Sequence, residues 1–181
     1  MSLKTQMRCW VVTLVVGITI CASTSASAAT KENAVKAGFI YNFTKFVTWP
    51  ANAPASKNFH LCIIEHDRLD GSLEALYGKL VGSKPLILRR DMDTEEVTSC
   101  HMVFITEDNK HSVEDILKKF EGLPVVTVSD SQNFTRRGGM IGLIRDGNRV
   151  GFVVNMEPVN AVGLHISVQL LKLAKDVKGL K

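Results

Sequence analysis

The fold is decided by residues 100–128, CHMVFITEDNKHSVEDILKKFEGLPVVTV. Two apolar runs bound this stretch, Cys100–Thr106 and Pro124–Val128. Neither run alternates with polar residues, which is typical of strands covered on both faces. Between the runs, Ser112 is placed to cap a helix that Gly122 would end. A strand, a helix and a strand in this order predict a parallel sheet flanked by helices.

Upstream of this stretch the pattern continues. Residues 31–48 carry apolar side chains at three- and four-residue intervals, which predicts a helix that Pro50 stops. Two further apolar runs, Phe59–Glu65 and Pro85–Arg89, predict strands on either side of a short helix at Ser72–Tyr77.

Downstream, Met140–Ile144 and Val150–Asn155 flank Asp146-Gly147-Asn148, which is a turn signal for an antiparallel hairpin. Apolar residues at helical spacing then predict a final helix from about Pro158 to Val177. The complete pattern predicts an α/β protein, a three-layer α/β/α sandwich with a mainly parallel sheet, a C-terminal β-hairpin and a final helix.

The N-terminus predicts export. Residues 1–28 contain a basic start, an apolar run at Trp10–Ile20 and the A-x-A pattern Ala26-Ser27-Ala28, which are typical of a secretory signal. We expect cleavage between Ala28 and Ala29. Because the apolar run is too short for a stable membrane span, we expect a soluble exported protein with a single domain over residues 29–181.

Charge and cysteine content narrow the function. The chain of 181 residues has a formal net charge of +4, which falls to +2 when the signal leaves. That near balance argues against nucleic acid as a partner. Only Cys62 and Cys100 remain after cleavage, and an even pair in an oxidising compartment predicts a disulfide. The alternative is a zinc site with His60, His66 and His101, but their spacing matches no metal motif.

No residue pattern predicts an enzyme. The pair Gly138-Gly139 follows two arginines, as in an anion-binding loop, but it leads into a strand instead of a helix N-terminus. A turn or bulge is therefore the favoured interpretation. A nucleophile elbow and a C-x-x-C pair are both missing from the sequence. We predict no catalytic residue, no metal and no cofactor.

One candidate binding surface lies on the first helix. Tyr41 and Lys45 fall on a different face from the apolar stripe, and Trp49 follows at the end of the helix. Exposed aromatic side chains with a polar group favour binding of a partner or ligand. The alternative is that Tyr41 and Trp49 cover the core.

A second candidate surface lies on the final helix. There Leu164, Val168 and Leu171 fall opposite the main apolar stripe, whereas a surface helix needs only one apolar face. Either another element of the same chain, such as the first helix, covers them, or they meet a second copy. The second alternative predicts a homodimer.

Four blocks of sequence occur together: YNFTKFVTWP (41–50), GGMIG (138–142), RVGFVVN (149–155) and QLLKLA (169–174). In these blocks the chain resembles the YfiR family of periplasmic proteins over essentially its whole mature length. The resemblance implies a non-enzymatic repressor of an inner-membrane diguanylate cyclase, acting on the periplasmic sensor domain of the cyclase. It implies lower cyclic-di-GMP, biofilm and exopolysaccharide output, with an OmpA-like outer-membrane lipoprotein relieving the repression.

The resemblance also implies a homodimer and a structural disulfide between Cys62 and Cys100. Some relatives carry a second cysteine pair in the hairpin, where this chain has Ile144 and Gly151, so we expect no redox regulation there. The competing function is a small-molecule binding module. Its cleft would lie near Tyr41, Trp49 and the strand ends and take an aromatic or amphipathic ligand.

Overall fold

A computed structural model describes residues 24–64, 69, 71–90, 96–106 and 112–180. Most of the predicted signal, as well as His66, lies outside the described residues. None of the described helices combines the length and the apolar composition that a membrane crossing requires.

The first helix, α1, spans Thr24–Phe46 and begins earlier than predicted. It ends before Val47–Thr48 because these residues form a two-residue strand, β1, which pairs antiparallel with His165–Ile166, strand β9. The apolar face of α1 packs on the sheet. Phe43 is fully buried, and its ring lies 5.1 Å from the ring of Phe152.

The remaining strands are β2 (Phe59–Ile64), β3 (Leu80–Val81), β4 (Lys84–Arg89), β5 (Met102–Ile105), β6 (Val126–Ser129), β7 (Ile141–Asp146), β8 (Arg149–Asn155) and β10 (Asp176–Lys178). These eight strands of the described chain form one sheet in the order β10-β8-β7-β6-β5-β2-β4-β3. The five central strands β7, β6, β5, β2 and β4 are parallel, and β8 returns antiparallel to β7. The mainly parallel sheet is therefore confirmed.

Strand β2 shows how the sheet is covered on both faces. Leu61 and Ile63 point into the cluster of buried residues beneath α1, whereas Cys62 points into a second cluster on the opposite face. The second cluster lies beneath α2, Val113–Lys118. Helices on both faces confirm the predicted three layers, because alternate residues of a strand face opposite sides.

Two local predictions are confirmed in detail. Ser112 caps α2, since its Oγ accepts a hydrogen bond from the backbone N–H of Asp115 at 3.2 Å. Strands β7 and β8 form the predicted hairpin, with Asp146 paired to Arg149 and Gly147 in the left-handed region at φ 60°. The predicted short helix at Ser72–Tyr77 is a 3-10 turn.

The predicted final helix from Pro158 to Val177 is wrong. The segment instead contains a short helix α3 (Met156–Ala161), strand β9, a single-turn helix α4 (Val168–Leu171) and strand β10. Gly163, at φ 71°, breaks the helical path. Strand β9 pairs with β1, and β10 pairs with β8. The backbone groups of these segments therefore form hydrogen bonds to other strands instead of within a continuous helix.

The predicted dimer stripe is lost with that helix. Leu164 is buried in the core, Leu171 is half-buried, and Val168 is 63% exposed. Val168 and Leu171 bound the single turn of α4, but Leu164 lies outside it in the core, so the three residues form no common face. The correction follows from nonlocal strand pairing, which places Leu164 just before β9 and Val168 after it. Dimerisation stays a prediction of the resemblance alone.

The Gly138-Gly139 pair lies in a turn, as predicted. Gly138 has φ 102°, and the Gly139 N–H donates to the backbone oxygen of Phe134 at 3.0 Å. A Cβ atom on Gly139 would lie 2.1 Å from the ring of Phe134, which is itself buried. Close packing against this aromatic ring is therefore the reason for glycine at position 139.

Replacement of Gly139 by Ala should lower the free energy of unfolding by about 2 kcal/mol, because the Phe134 ring must move within a packed core. Urea unfolding measures the change. Gly38→Ala is the matched control: a Cβ there meets nothing within 4 Å, and alanine should stabilise helix α1 by up to about 1 kcal/mol. Equal effects at the two positions would contradict the packing argument.

Candidate partner-binding surfaces

The predicted disulfide is present. Cys62 in β2 and Cys100, just before β5, are joined with S–S 2.02 Å, and both are fully buried. Strands β2 and β5 are neighbours, so the bond fastens two central strands across the second cluster. Because thiol exchange requires access to a sulfur atom, burial makes this disulfide structural.

The described residues contain no group of three His, Cys, Asp or Glu side chains that could hold a metal ion, and His66 of the zinc alternative lies outside them. Both sulfur atoms are used in the disulfide. His101 lies on the face opposite Cys100, with its ring stacked on Phe59 at 5.0 Å between centroids.

His101 is a buried titratable side chain with a polar ring atom that lacks a partner within the described fold. It is 4% exposed, and its Nδ1 accepts a hydrogen bond from the backbone N–H of His60 at 3.2 Å. Its Nε2 is buried and has no hydrogen-bond partner among the described residues. Burial, with the nearby charges of Lys84 and His60, lowers the pKa of His101 to about 4, although the Pro54 backbone works in the other direction.

Tyr41 and Trp49 are half-buried and bonded within the chain. The Tyr41 hydroxyl donates to the Leu80 backbone oxygen at 2.9 Å, and Trp49 Nε1 donates to the His101 backbone oxygen at 2.9 Å. Only Lys45 is exposed, with its Nζ 4.4 Å from the centroid of the Tyr41 ring. None of the three lines either of the two clefts that α1 forms with the β7–β8 region.

The first of these clefts, of about 570 Å³, lies between α1, the segment after β6, and β7. Four of its charged residues are paired with one another: Lys36 Nζ lies 2.9 Å from Asp130 Oδ2 and 3.2 Å from Glu32 Oε1, and Glu32 also pairs with Arg145. Burial alone would lower the pKa of Lys36, but hydrogen bonds and charge interactions with Asp130 and Glu32 raise it. These ion pairs fasten α1 to the sheet.

The second cleft, here called the hairpin groove, has a volume of about 960 Å³ and lies between the first turns of α1 and the β7–β8 hairpin. Its floor is apolar and its rim is basic. The floor residues are Val35, Phe39 and Val150, and the charged rim residues are Lys31, Glu32, Arg145 and Arg149. The sequence pattern missed this groove because its two walls lie more than 100 residues apart.

The sequence model of the YfiR/HmsC-like family matches residues 33–175, from within α1 to the residue before β10. Among solved structures, the chain is similar to a conserved domain protein from Vibrio cholerae O1 biovar El Tor. The sequence identity is 11% and the TM-score 0.55, with 78% of this chain and 60% of that chain covered. This likeness shows the fold alone, and the chain spans 60% of the length of that structure.

A second solved structure, the ABC domain of a Streptococcus pneumoniae protein in complex with L-Trp, has 11% identity and a TM-score of 0.45. The match covers 69% of this chain and 57% of that chain. Nothing further follows from this second likeness.

Proposed function

This chain belongs to the YfiR/HmsC-like family, and from that membership we propose that it represses an inner-membrane diguanylate cyclase by contact with the periplasmic sensor domain of the cyclase. Members of the family are periplasmic regulators of diguanylate cyclases and not catalysts. The observation that carries the proposal is the family match over residues 33–175, which includes most of the described fold.

The proposal includes export. Cleavage between Ala28 and Ala29 would release residues 29–181 as one soluble periplasmic domain, in the compartment where the Cys62–Cys100 disulfide is stable. An OmpA-like outer-membrane lipoprotein would relieve the repression, and the repressor would act as a homodimer. Lower cyclic-di-GMP would reduce biofilm and exopolysaccharide output.

Repression across a membrane requires differential binding. The protein must bind the inactive arrangement of the cyclase more tightly than the active one, because equal affinity shifts no equilibrium. A difference of about 3 kcal/mol would change the active fraction roughly a hundredfold where the active state is rare. Such a device needs a contact surface but no catalytic group.

Deletion of the gene should raise cellular cyclic-di-GMP in a strain whose partner cyclase is expressed. The whole chain supplied in trans should restore the low level, whereas a version without residues 1–28 should stay in the cytoplasm and fail to restore it. Mass spectrometry of nucleotide extracts measures the effect. An unchanged level after deletion would overturn the repressor proposal.

A small-molecule binding module is the second candidate function. The cleft of about 570 Å³ that contains Lys36 and Asp130 has the size of ordinary ligand sites. It lies away from Trp49, so the ligand site would not be the one expected from the sequence. The two functions are compatible, because a ligand that prefers one conformation would bias repression.

A further inference from the structure

The floor of the hairpin groove leaves apolar surface uncovered. Val35 is 43% exposed, and Phe39, one helical turn further along α1, is half-buried beside it. Val150 of β8 contributes from the opposite wall. From Ala29 to Phe39 the groove follows α1 for about 15 Å, at 1.5 Å per residue. That length suits about three turns of a docked helix.

The rim of the groove concentrates positive charge. It carries three cations, Lys31, Arg145 and Arg149, and one carboxylate, Glu32. Arg145 is neutralised by Glu32, but Lys31 and Arg149 are exposed and form no ion pair within the described part of the chain. The proposed cleavage adds a further charge, because Ala29 lines the groove and its new α-ammonium would be largely protonated at neutral pH.

We propose that the hairpin groove docks an acidic amphipathic helix of the protein partner, with apolar side chains on Val35 and Phe39 and carboxylates facing Lys31 and Arg149. The inference rests on the proposed function, since it assigns a surface to the repressing contact. The neighbouring cleft is a weaker candidate because its Lys36 is already paired with Asp130.

The test uses purified residues 29–181, obtained by export, and three synthetic 14-residue probes. The first probe places leucine at helical spacing with glutamate elsewhere. The second replaces each glutamate by lysine, and the third scrambles the first so that it has no apolar face. Fluorescence anisotropy should show that only the first probe binds, and that its affinity falls as salt rises.

Two variants of this chain locate the binding site. The double change Lys31→Glu, Arg149→Glu should lower the affinity for the first probe at least tenfold. The single change Val35→Asp should lower that affinity by a similar factor. The matched control, Lys57→Glu with Lys172→Glu, makes the same change of net charge at exposed positions outside the groove. The affinity of this control variant for the first probe should stay within about twofold of that of the unchanged protein. Melting curves should show that every variant is folded.

The inference fails if the scrambled or lysine probe binds equally well, or if the control weakens binding as much as the groove variant. The same variants in the deletion strain separate the two proposals. If deletion raises cyclic-di-GMP and the groove variant restores repression fully, the groove inference is wrong and the repressor function stands. If deletion changes nothing while the first probe still needs Lys31 and Arg149, the function is wrong and the groove stands.

Discussion

Loss of the Cys62–Cys100 disulfide should lower the free energy of unfolding of the mature protein by about 4 kcal/mol. The two cysteines are 38 residues apart, and closure of a loop of this length restricts the unfolded chain by about that amount in the chain-entropy model. The total free energy of unfolding of a small domain is only about 5–15 kcal/mol. The reduced protein should therefore be only marginally stable at 37 °C.

Urea unfolding of the oxidised protein and of the double variant Cys62→Ala, Cys100→Ala measures this loss. The double variant is preferable to a single one, because a single change leaves an unpaired buried thiol. Intact mass should show the native protein 2 Da lighter than its reduced form. Two titratable thiols in freshly isolated native protein, or equal midpoints for the two proteins, would contradict the prediction.

The elements that the sequence predicted well are those with local causes. The cap at Ser112 and the turn at Gly147 depend on residues within a few positions of each other. The strands β5 and β6 are short buried runs on either side of α2, and this order is enough to predict a parallel sheet flanked by helices. The four sequence blocks also identified the family correctly.

The C-terminal helix was predicted wrongly because its competitors are distant in sequence. Ile166 pairs with Val47, and Val177 pairs with Val154. Helical spacing of apolar residues carries no information about such partners, and short apolar segments fit a strand or a single helical turn equally well. Gly163 was the available local signal against a continuous helix.

The candidate binding surface was uncertain for the same physical reason. Whether Tyr41 and Trp49 are exposed depends on Leu80 and His101, which no local pattern connects to them. The hairpin groove likewise joins Lys31 to Arg149 across most of the chain. The sequence could therefore name candidate residues for a binding surface, whereas their exposure depends on the fold.

Acidification should destabilise the protein through His101. Its pKa is about 4 in the folded state, against 6.5 for an ordinary histidine. Above pH 6.5 the residue is neutral in both states and contributes no pH dependence. As pH falls from 6.5 to 4, the His101 imidazole becomes protonated in the unfolded chain but stays largely neutral in the folded chain. The free energy of unfolding should therefore fall by up to about 3 kcal/mol.

Urea unfolding at half-unit steps from pH 7.5 to 4 measures this dependence, and the informative quantity is the difference in slope between variants. His101→Asn retains an acceptor for the His60 N–H but removes the titrating ring. This variant should be less stable at pH 7.5, and its free energy of unfolding should depend less on pH between pH 6.5 and 4. His165→Asn, at an exposed position, is the control and should follow the unchanged protein. If His101→Asn keeps the full slope, carboxylates rather than the buried imidazole govern the acid response, and enclosure of His101 beside Phe59 has no influence on stability in this range.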